Sequence, residues 1–204
     1  MRVLLDDEPC DMTARSIGEA IEAAAALAES RGRVIVDVYV DGSRWTSDQL
    51  VAPRESDSLA AEVNIVSADP AALVEYTFSQ ATEALGDADR LQREAAELIQ
   101  ADDSRQAMNR LGEAITIWLS VQQAVSDGSQ IIGLDLDPIV VDGVPVPQTI
   151  QRLHEQLQSL RGALAAADSI SLSDTLLYEL PAVVDEWRAM IEHLRSLVNR
   201  KDAR

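Results

Sequence analysis

Apolar positions change their spacing at Asp69-Pro70, after which they recur largely at helical intervals; before it, runs of period two surround one helical stretch. Arg2–Leu5 is a short apolar run stopped by Asp6, Asp7, Glu8 and Pro9, and it reads as a first strand. Ile17, Ala20, Ile21, Ala24, Leu27 and Ala28 recur at helical spacing, which predicts a helix over about Thr13–Ser30. Gly32 closes it, since glycine tolerates the left-handed conformation that ends many helices. In Arg33–Val40, Val34, Val36, Val38 and Val40 fall on one face and Ile35, Asp37 and Tyr39 on the other, the period of a strand. Asp41-Gly42 is a hairpin signal. Ser43–Thr46 is then the returning strand, carrying Trp45, Ser47–Ser58 a polar loop, and Glu62–Val66 a closing strand. The order strand, helix, hairpin, strand predicts a small sheet with one helix on it over residues 1–69.

Asp69 suits a helix N-cap and Pro70 the first helical position. Pro70–Gln100 carries the stripe Val74, Phe78, Ala81, Leu85, Ala88, Leu91, Ala95 and Leu98, and Ala101–Ser104 breaks it. A second helix over about Arg105–Ser126 turns Met108, Leu111, Ile115, Trp118, Val121 and Val125 inward. Residues 127–147 form an irregular insertion in which Val140, Val144 and Val146 fit a small hairpin around Asp142-Gly143. A third helix over about Gln148–Ala167 uses Ile150, Leu153, Leu157, Leu160 and Leu164. The fourth starts near Ser173 and uses Leu176, Leu180, Val183, Val184, Trp187, Ile191, Leu194 and Val198. These stripes predict an antiparallel four-helix bundle over residues 70–204. The fold class is therefore α+β, mostly α. Pro181 predicts a kink inside the fourth helix, either a tolerated bend near its start or an opening between helices for another segment.

Charge changes this picture more than composition does. The net charge is −18. Met1–Asp69 holds 6 basic and 14 acidic residues and Pro70–Arg204 holds 11 and 21, so both parts are acidic. A phosphate backbone or an anionic membrane requires clustered Lys and Arg, and there is no cluster. A basic protein partner would instead be attracted at long range. Of 17 basic residues only Lys201 is lysine, as an Arg- and Ala-favouring genome or salt adaptation would produce. Cys10 is the only cysteine, so no disulfide forms within the chain. The first residues lack the apolar core of a signal peptide, and no apolar run is long enough to cross a bilayer. The expected compartment is the cytoplasm.

Tests for chemistry fail one after another. No GxxxxGK[ST] or GxGxxG is present to cradle a phosphate. A di-iron bundle needs Glu three residues before His, and Gln151 precedes His154 while Met190 precedes His193. Asp135, Asp137 and Asp142 offer hard oxygen ligands. Counting from Asp135, however, the fifth and twelfth positions of a calcium loop are Ile139 and Val146. Asp6, Asp7, Glu8, Cys10 and Asp11 form an acidic cluster without a nearby histidine and read as a solvated strand end. Cys10 would need His154 or His193 as a base to act as a nucleophile. His154 has the setting of a phosphotransfer bundle but lacks the following Lys-Gly that would help hold a phosphoryl group. No catalytic residue, cofactor or metal site is expected. Trp118 and Trp187 sit at core spacing or line a partner groove, and Trp45, in a polar context, is a candidate surface contact.

Two segments carry a resemblance. ALAAADSISLSDTLLYELPAVVDEW has an Ala-rich helix end, Asp168, a short gap, and a Leu-rich helix leading to Trp187. NRLGEAITIWLSVQQAV, over Asn109–Val125, has a Leu-Ser step within it. Together they resemble flagellar export chaperones of the flagellin-binding type, over at most Val74–Leu197. The α+β part, the insertion and Pro181 fall outside that resemblance. It implies a bacterial chaperone or adaptor that shields an amphipathic helix of a flagellar or secreted protein in a bundle groove. Trp45, Trp118, Pro181 and Trp187 are the partner-binding candidates. The same helical faces could serve a homodimer in a self-associating structural protein, and a phosphotransfer bundle using His154 is the third reading.

Overall fold

Short hairpins opened by aspartate organise the strands. Asp6-Asp7 has φ of 54° and 65°, Asp41-Gly42 of 48° and 79°, and Asp142-Gly143 of 51° and 83°. Positive φ at both central residues is what a type I′ turn requires, and aspartate tolerates it better than most residues do. The computed structural model describes residues 1–11, 14–51 and 60–202, and the chain divides into two compact units, Met1–Leu73 and Val74–Arg204.

The first unit contains β1 (Arg2–Leu5), β2 (Glu8–Pro9), α1 (Ile17–Ser30), β3 (Val34–Val40), β4 (Ser43–Arg44), α2 (Ser47–Val51) and β5 (Glu62–Ala68). The sheet order is β2-β1-β5-β3-β4, with β5 parallel to β1 and antiparallel to β3. The last strand of this unit in sequence is thus the centre of its sheet. Val3, Leu5, Val38, Val40, Val63 and Ile65 bury one face against Ile17, Ala20, Ala24 and Ala28 of α1. Ser16 caps α1, its Oγ accepting from the Glu19 amide at 3.2 Å. The helix therefore starts at Ile17, and the expected start at Thr13 lies outside the described residues.

Four details differ from the sequence reading. Asp6-Asp7 does not end the first strand but turns it into the hairpin partner β2. A bulge between Ile35 and Asp37 breaks the alternation of β3. Its extra residue leaves Ile35 packed on the core beside Val38, while Val36 is 38% exposed. Ser47–Val51 is a short helix rather than loop, and residues 52–59 of the expected loop lie outside the described residues. Finally, β5 extends to Ala68 because Ser67 is held from both sides. Asp6 Oδ1 accepts from the Ser67 amide at 2.7 Å and Oδ2 from its hydroxyl at 2.6 Å. Arg33 Nε donates to Ser67 Oγ and its Nη2 to the Ser67 carbonyl, each at 2.7 Å.

The second unit is built from long helices: α3 (Pro70–Gln100), α4 (Ser104–Ile131), α5 (Val146–Ala166), the short α6 (Ser169–Asp174) and α7 (Leu180–Asp202). Asp69 Oδ1 caps α3 by accepting from the amides of Ala71 and Ala72 at 2.7 and 3.1 Å. A hairpin of β6 (Val140–Val141) and β7 (Val144–Pro145) precedes α5. Gln92 and Glu94 of α3 meet Trp118 and Arg110 of α4, and Phe78 of α3 meets Gly128. Residue numbers rise along one helix as they fall along the other, so the two run antiparallel. Glu186 of α7 pairs with Arg152 of α5, and Arg195 of α7 with Glu75 of α3. The fold is α+β and mostly α. Among the described residues no helix is long and apolar enough to cross a membrane.

Three expectations for this unit need correction. Asp127-Gly128 does not end α4, which continues to Ile131. A Cβ on residue 128 would lie 2.6 Å from Phe78 Cε1, so the missing side chain makes room for a buried ring and the helix runs through. Met108 and Leu164, expected inward, are exposed, while Ala107 and Ala163 are buried instead. The final helical stretch starts at Ser169, capped by Asp168, not near Ser173. Thr175–Glu179 then form a π turn in which the Leu180 amide reaches back to the Thr175 carbonyl. That turn shifts the carbonyls just before Pro181, where a regular helix would press on the proline ring.

Two outcomes follow from this packing. Alanine replaces helical glycine with a gain of about 1 kcal/mol where space is open, as beside Gly112. Overpacking a buried ring costs about 1–3 kcal/mol. In urea unfolding followed by circular dichroism, Gly112→Ala should stabilise and Gly128→Ala should destabilise. Asp6 supplies the second test. Burial would raise its pKa, but the Ser67 hydroxyl and amide and the charges of Arg33 and Arg31 outweigh that and hold it below its ordinary 3.8. Its contribution is complete above that ordinary value and fades as the pH falls toward the lowered one. Asp6→Asn should cost about 1–2 kcal/mol at neutral pH. It should also flatten the acid side of the stability profile, read from hydrogen exchange of the β5 amides.

Candidate functional site

In a chain in which 25% of residues are charged, Ala114–Ser126 carries no charge at all. This run lies in the middle of α4. Its buried side, Ala114, Trp118, Val121 and Val125, faces the core. Its exposed side is Thr116, Leu119, Ser120, Gln123 and Ser126, and Leu119 is 57% exposed. A surface helix ordinarily presents charged residues on that side.

Beside the exposed side lies a cavity of about 590 Å³. Leu119, Gln122, Val125 and Ser129 of α4 form one wall, Leu134 and Leu136 from the segment after α4 a second, and Ile150 and Trp187 the rest. No residue lining it is charged. The segment after α4 is folded back by Gly133, whose φ is 59°, and by a hydrogen bond from the Leu134 amide to the Ser129 carbonyl at 2.8 Å. On the opposite flank of α4 a smaller hollow of about 230 Å³, lined by Thr77, Ala81, Ala84, Ser120 and Ala124 among others, is also uncharged.

Beneath the larger cavity is a polar cluster in an otherwise apolar interior. Trp118 and Trp187 meet edge to face, with centroids 5.7 Å apart and planes at 81°. Trp118 Nε1 donates to Gln92 Oε1 at 2.6 Å. Gln92 Nε2, Trp187 Nε1 and Ser129 Oγ are buried with no hydrogen-bond partner in the protein. Trp187 and Ser129 both belong to the cavity lining. The cavity is therefore shaped to accept apolar and neutral polar groups.

No family model, curated protein or solved structure matches this chain.

The candidates from sequence fall in different places. Trp187 is at the cavity, though 1% exposed, and Trp118 is equally buried behind it, so neither presents its ring face to the surface. Burial follows from their helical core spacing. Pro181 lies beyond the π turn and is not part of the lining. Trp45 is half-buried against the core of the first unit. His154 is exposed, its Nε2 2.9 Å from Gln158 Nε2. Cys10 packs on the core of the first unit, with Sγ 3.9 Å from the Glu8 carbonyl. The acidic clusters have structural duties. Asp7 accepts from Asn64 Nδ2 at 2.6 Å, Asp135 from the Asp137 amide at 3.1 Å, and Asp142 occupies a turn. Among the described residues no three His, Cys, Asp or Glu side chains converge to hold a metal ion.

Sequence reasoning missed Leu119, Gln122, Ser129, Leu134 and Leu136. The charge-free run was a visible signal for the first two. Nothing in the sequence places Leu134 and Leu136 against α4. It also missed Gln92, a polar residue hidden in the α3 stripe. Gln92→Met should cost about 1–2 kcal/mol, because it leaves the Trp118 indole without an acceptor. In a Trp118→Phe background the same change should be neutral or stabilising, since no donor is then orphaned. A double-mutant cycle by urea unfolding measures this coupling.

Proposed function

We propose that the helical unit is a non-catalytic protein-binding module, chaperone- or adaptor-like, that holds an amphipathic helix of a partner against α4. One observation carries this reading: an exposed, charge-free helix face opening onto an uncharged cavity, on a chain of net charge −18. A helix docks in a groove through apolar anchors spaced by three or four residues. Leu119 is the exposed edge of the receiving surface, and the cavity beside it takes the anchor. Charged walls would have to be desolvated on contact, at a cost of several kcal/mol per ion (roughly, before compensation). Here the walls are neutral.

The reading treats α3, α4, α5 and α7 as an antiparallel four-helix bundle, which the antiparallel register of α3 and α4 supports. The resemblance of Val74–Leu197 to flagellin-binding export chaperones points to the same mode of recognition. The proposed partner is accordingly a flagellar or secreted bacterial protein met in the cytoplasm. The acidity of the chain would draw a partner with basic flanks.

Site-specific photocrosslinking in the source organism tests this. A photoreactive residue in place of Leu119 should capture one discrete protein species. The same group in place of Tyr76, which is 63% exposed on α3, should not. Capture of a second copy of the chain at Leu119 would replace the reading by self-association. Equal products from both positions, or none from either, would overturn it.

A further inference from the structure

The sheet of the first unit leaves one edge unfinished. The short β4 covers only the end of β3, pairing Tyr39 with Arg44 and Val40 with Ser43. The Trp45 amide extends the ladder by one bond, to the Val38 carbonyl at 2.8 Å. Beyond that bond the chain leaves the edge and enters α2. Over Val34–Asp37, no described residue pairs with β3 on this side, while β5 pairs with it along the other.

A cavity of about 390 Å³ follows the open stretch. One wall is Ile35, Val36, Asp37 and Val38, and Trp45 and Leu50 contribute to the other. Successive side chains of a strand point to opposite faces of its sheet. A cavity lined by four successive residues therefore sits at the edge, not on one face. Val36, the bulged residue, and Leu50 are both exposed. The edge lacks the lysine or proline that commonly blocks such a strand, and the two charges that line the cavity, Asp37 and Arg44, pair with each other. Arg44 Nε donates to Asp37 Oδ1 at 2.6 Å.

We infer that this edge receives a short extended segment of a basic protein partner as an added strand. The backbone of Val34–Asp37 fixes the extended form, because only another strand offers donors and acceptors at matching spacing. The bulge at Val36 keeps the pairing short. Charge selects the partner. With 6 basic and 14 acidic residues in Met1–Asp69, the first unit attracts a basic segment and repels a second copy of itself. An apolar residue at alternate positions of the segment would enter the space beside Trp45 and Leu50. The inference is independent of the helix-binding reading, since it concerns another unit and another mode of recognition.

Titration of the intact chain with a capped peptide alternating valine and lysine tests it, with amide exchange followed by NMR. Exchange should slow at Val34–Val38, and the Trp45 indole signal should shift. A peptide alternating valine and glutamate should bind at least roughly tenfold more weakly, a difference of about 1.4 kcal/mol. So should the basic peptide N-methylated at alternate backbone nitrogens. Val36→Lys should lose the response while keeping the urea midpoint, Val36→Thr should retain it, and Leu119→Asp should leave it unchanged. Equal binding of the N-methylated peptide would reduce the effect to ion attraction and overturn the inference. Slowed exchange only in the helical unit, or no response to the basic peptide, would also overturn it. So would protection of the same amides in a dimer formed without peptide.

Discussion

The contact of Trp118 with Trp187 joins two helices that are far apart in sequence and supports what lies above it. Two large rings meeting edge to face fill space that smaller side chains would leave partly empty, and the geometry places the positive edge of one ring on the negative face of the other. The pair is nearly dry, and of its two indole N–H groups Trp118's has a partner inside the protein while Trp187's does not. That partner is Gln92, which brings α3 into the same cluster. Trp187 forms part of the cavity lining, so the position of these rings sets the depth of the uncharged hollow beside α4.

The first unit depends on a different constraint. Its central strand is the last to arrive in sequence, so the sheet closes only when β5 enters between β1 and β3. The residues that receive it are polar. Asp6 and Arg33 meet on Ser67, Asp7 meets Asn64, and Asp41 accepts from the amides of Ala61 and Glu62 at 3.0 and 2.9 Å. Aspartates that look like surplus surface charge thus turn the hairpins and grip the incoming strand. They also hold the turns in a left-handed conformation that most side chains resist.

Acidity and neutrality therefore divide the labour on this surface. Charge spread over both units discourages self-association and works at distances of up to about a Debye length, roughly 8 Å in physiological salt. The Ala114–Ser126 face of α4 carries no charge, and at the open edge of β3 the charges of Asp37 and Arg44 pair with each other. A segment drawn in by charge would be retained only if it fits a neutral surface. Both proposed recognition modes use this division, one through side chains entering a cavity and the other through backbone hydrogen bonds.

The two periods of the apolar pattern were enough to place most of the strands and helices on either side of Asp69-Pro70, because each element buries one face and the spacing reports which. Local chemistry was equally legible at Asp41-Gly42, at Asp142-Gly143 and at the Asp69 cap, where a few adjacent residues settle the backbone. What sequence left open was decided by distant partners. Gly128 reads as a helix end until the Phe78 ring fills the place of its side chain. Val36 reads as core until the register with β5 extrudes it. Gln92 reads as surface until Trp118 reaches it. The cavity beside α4 belongs to this class, since Leu134 and Leu136 come to it through a fold-back that no local periodicity encodes. Spacing along a chain determines which face of an element is apolar, but only packing determines which parts of that face remain uncovered.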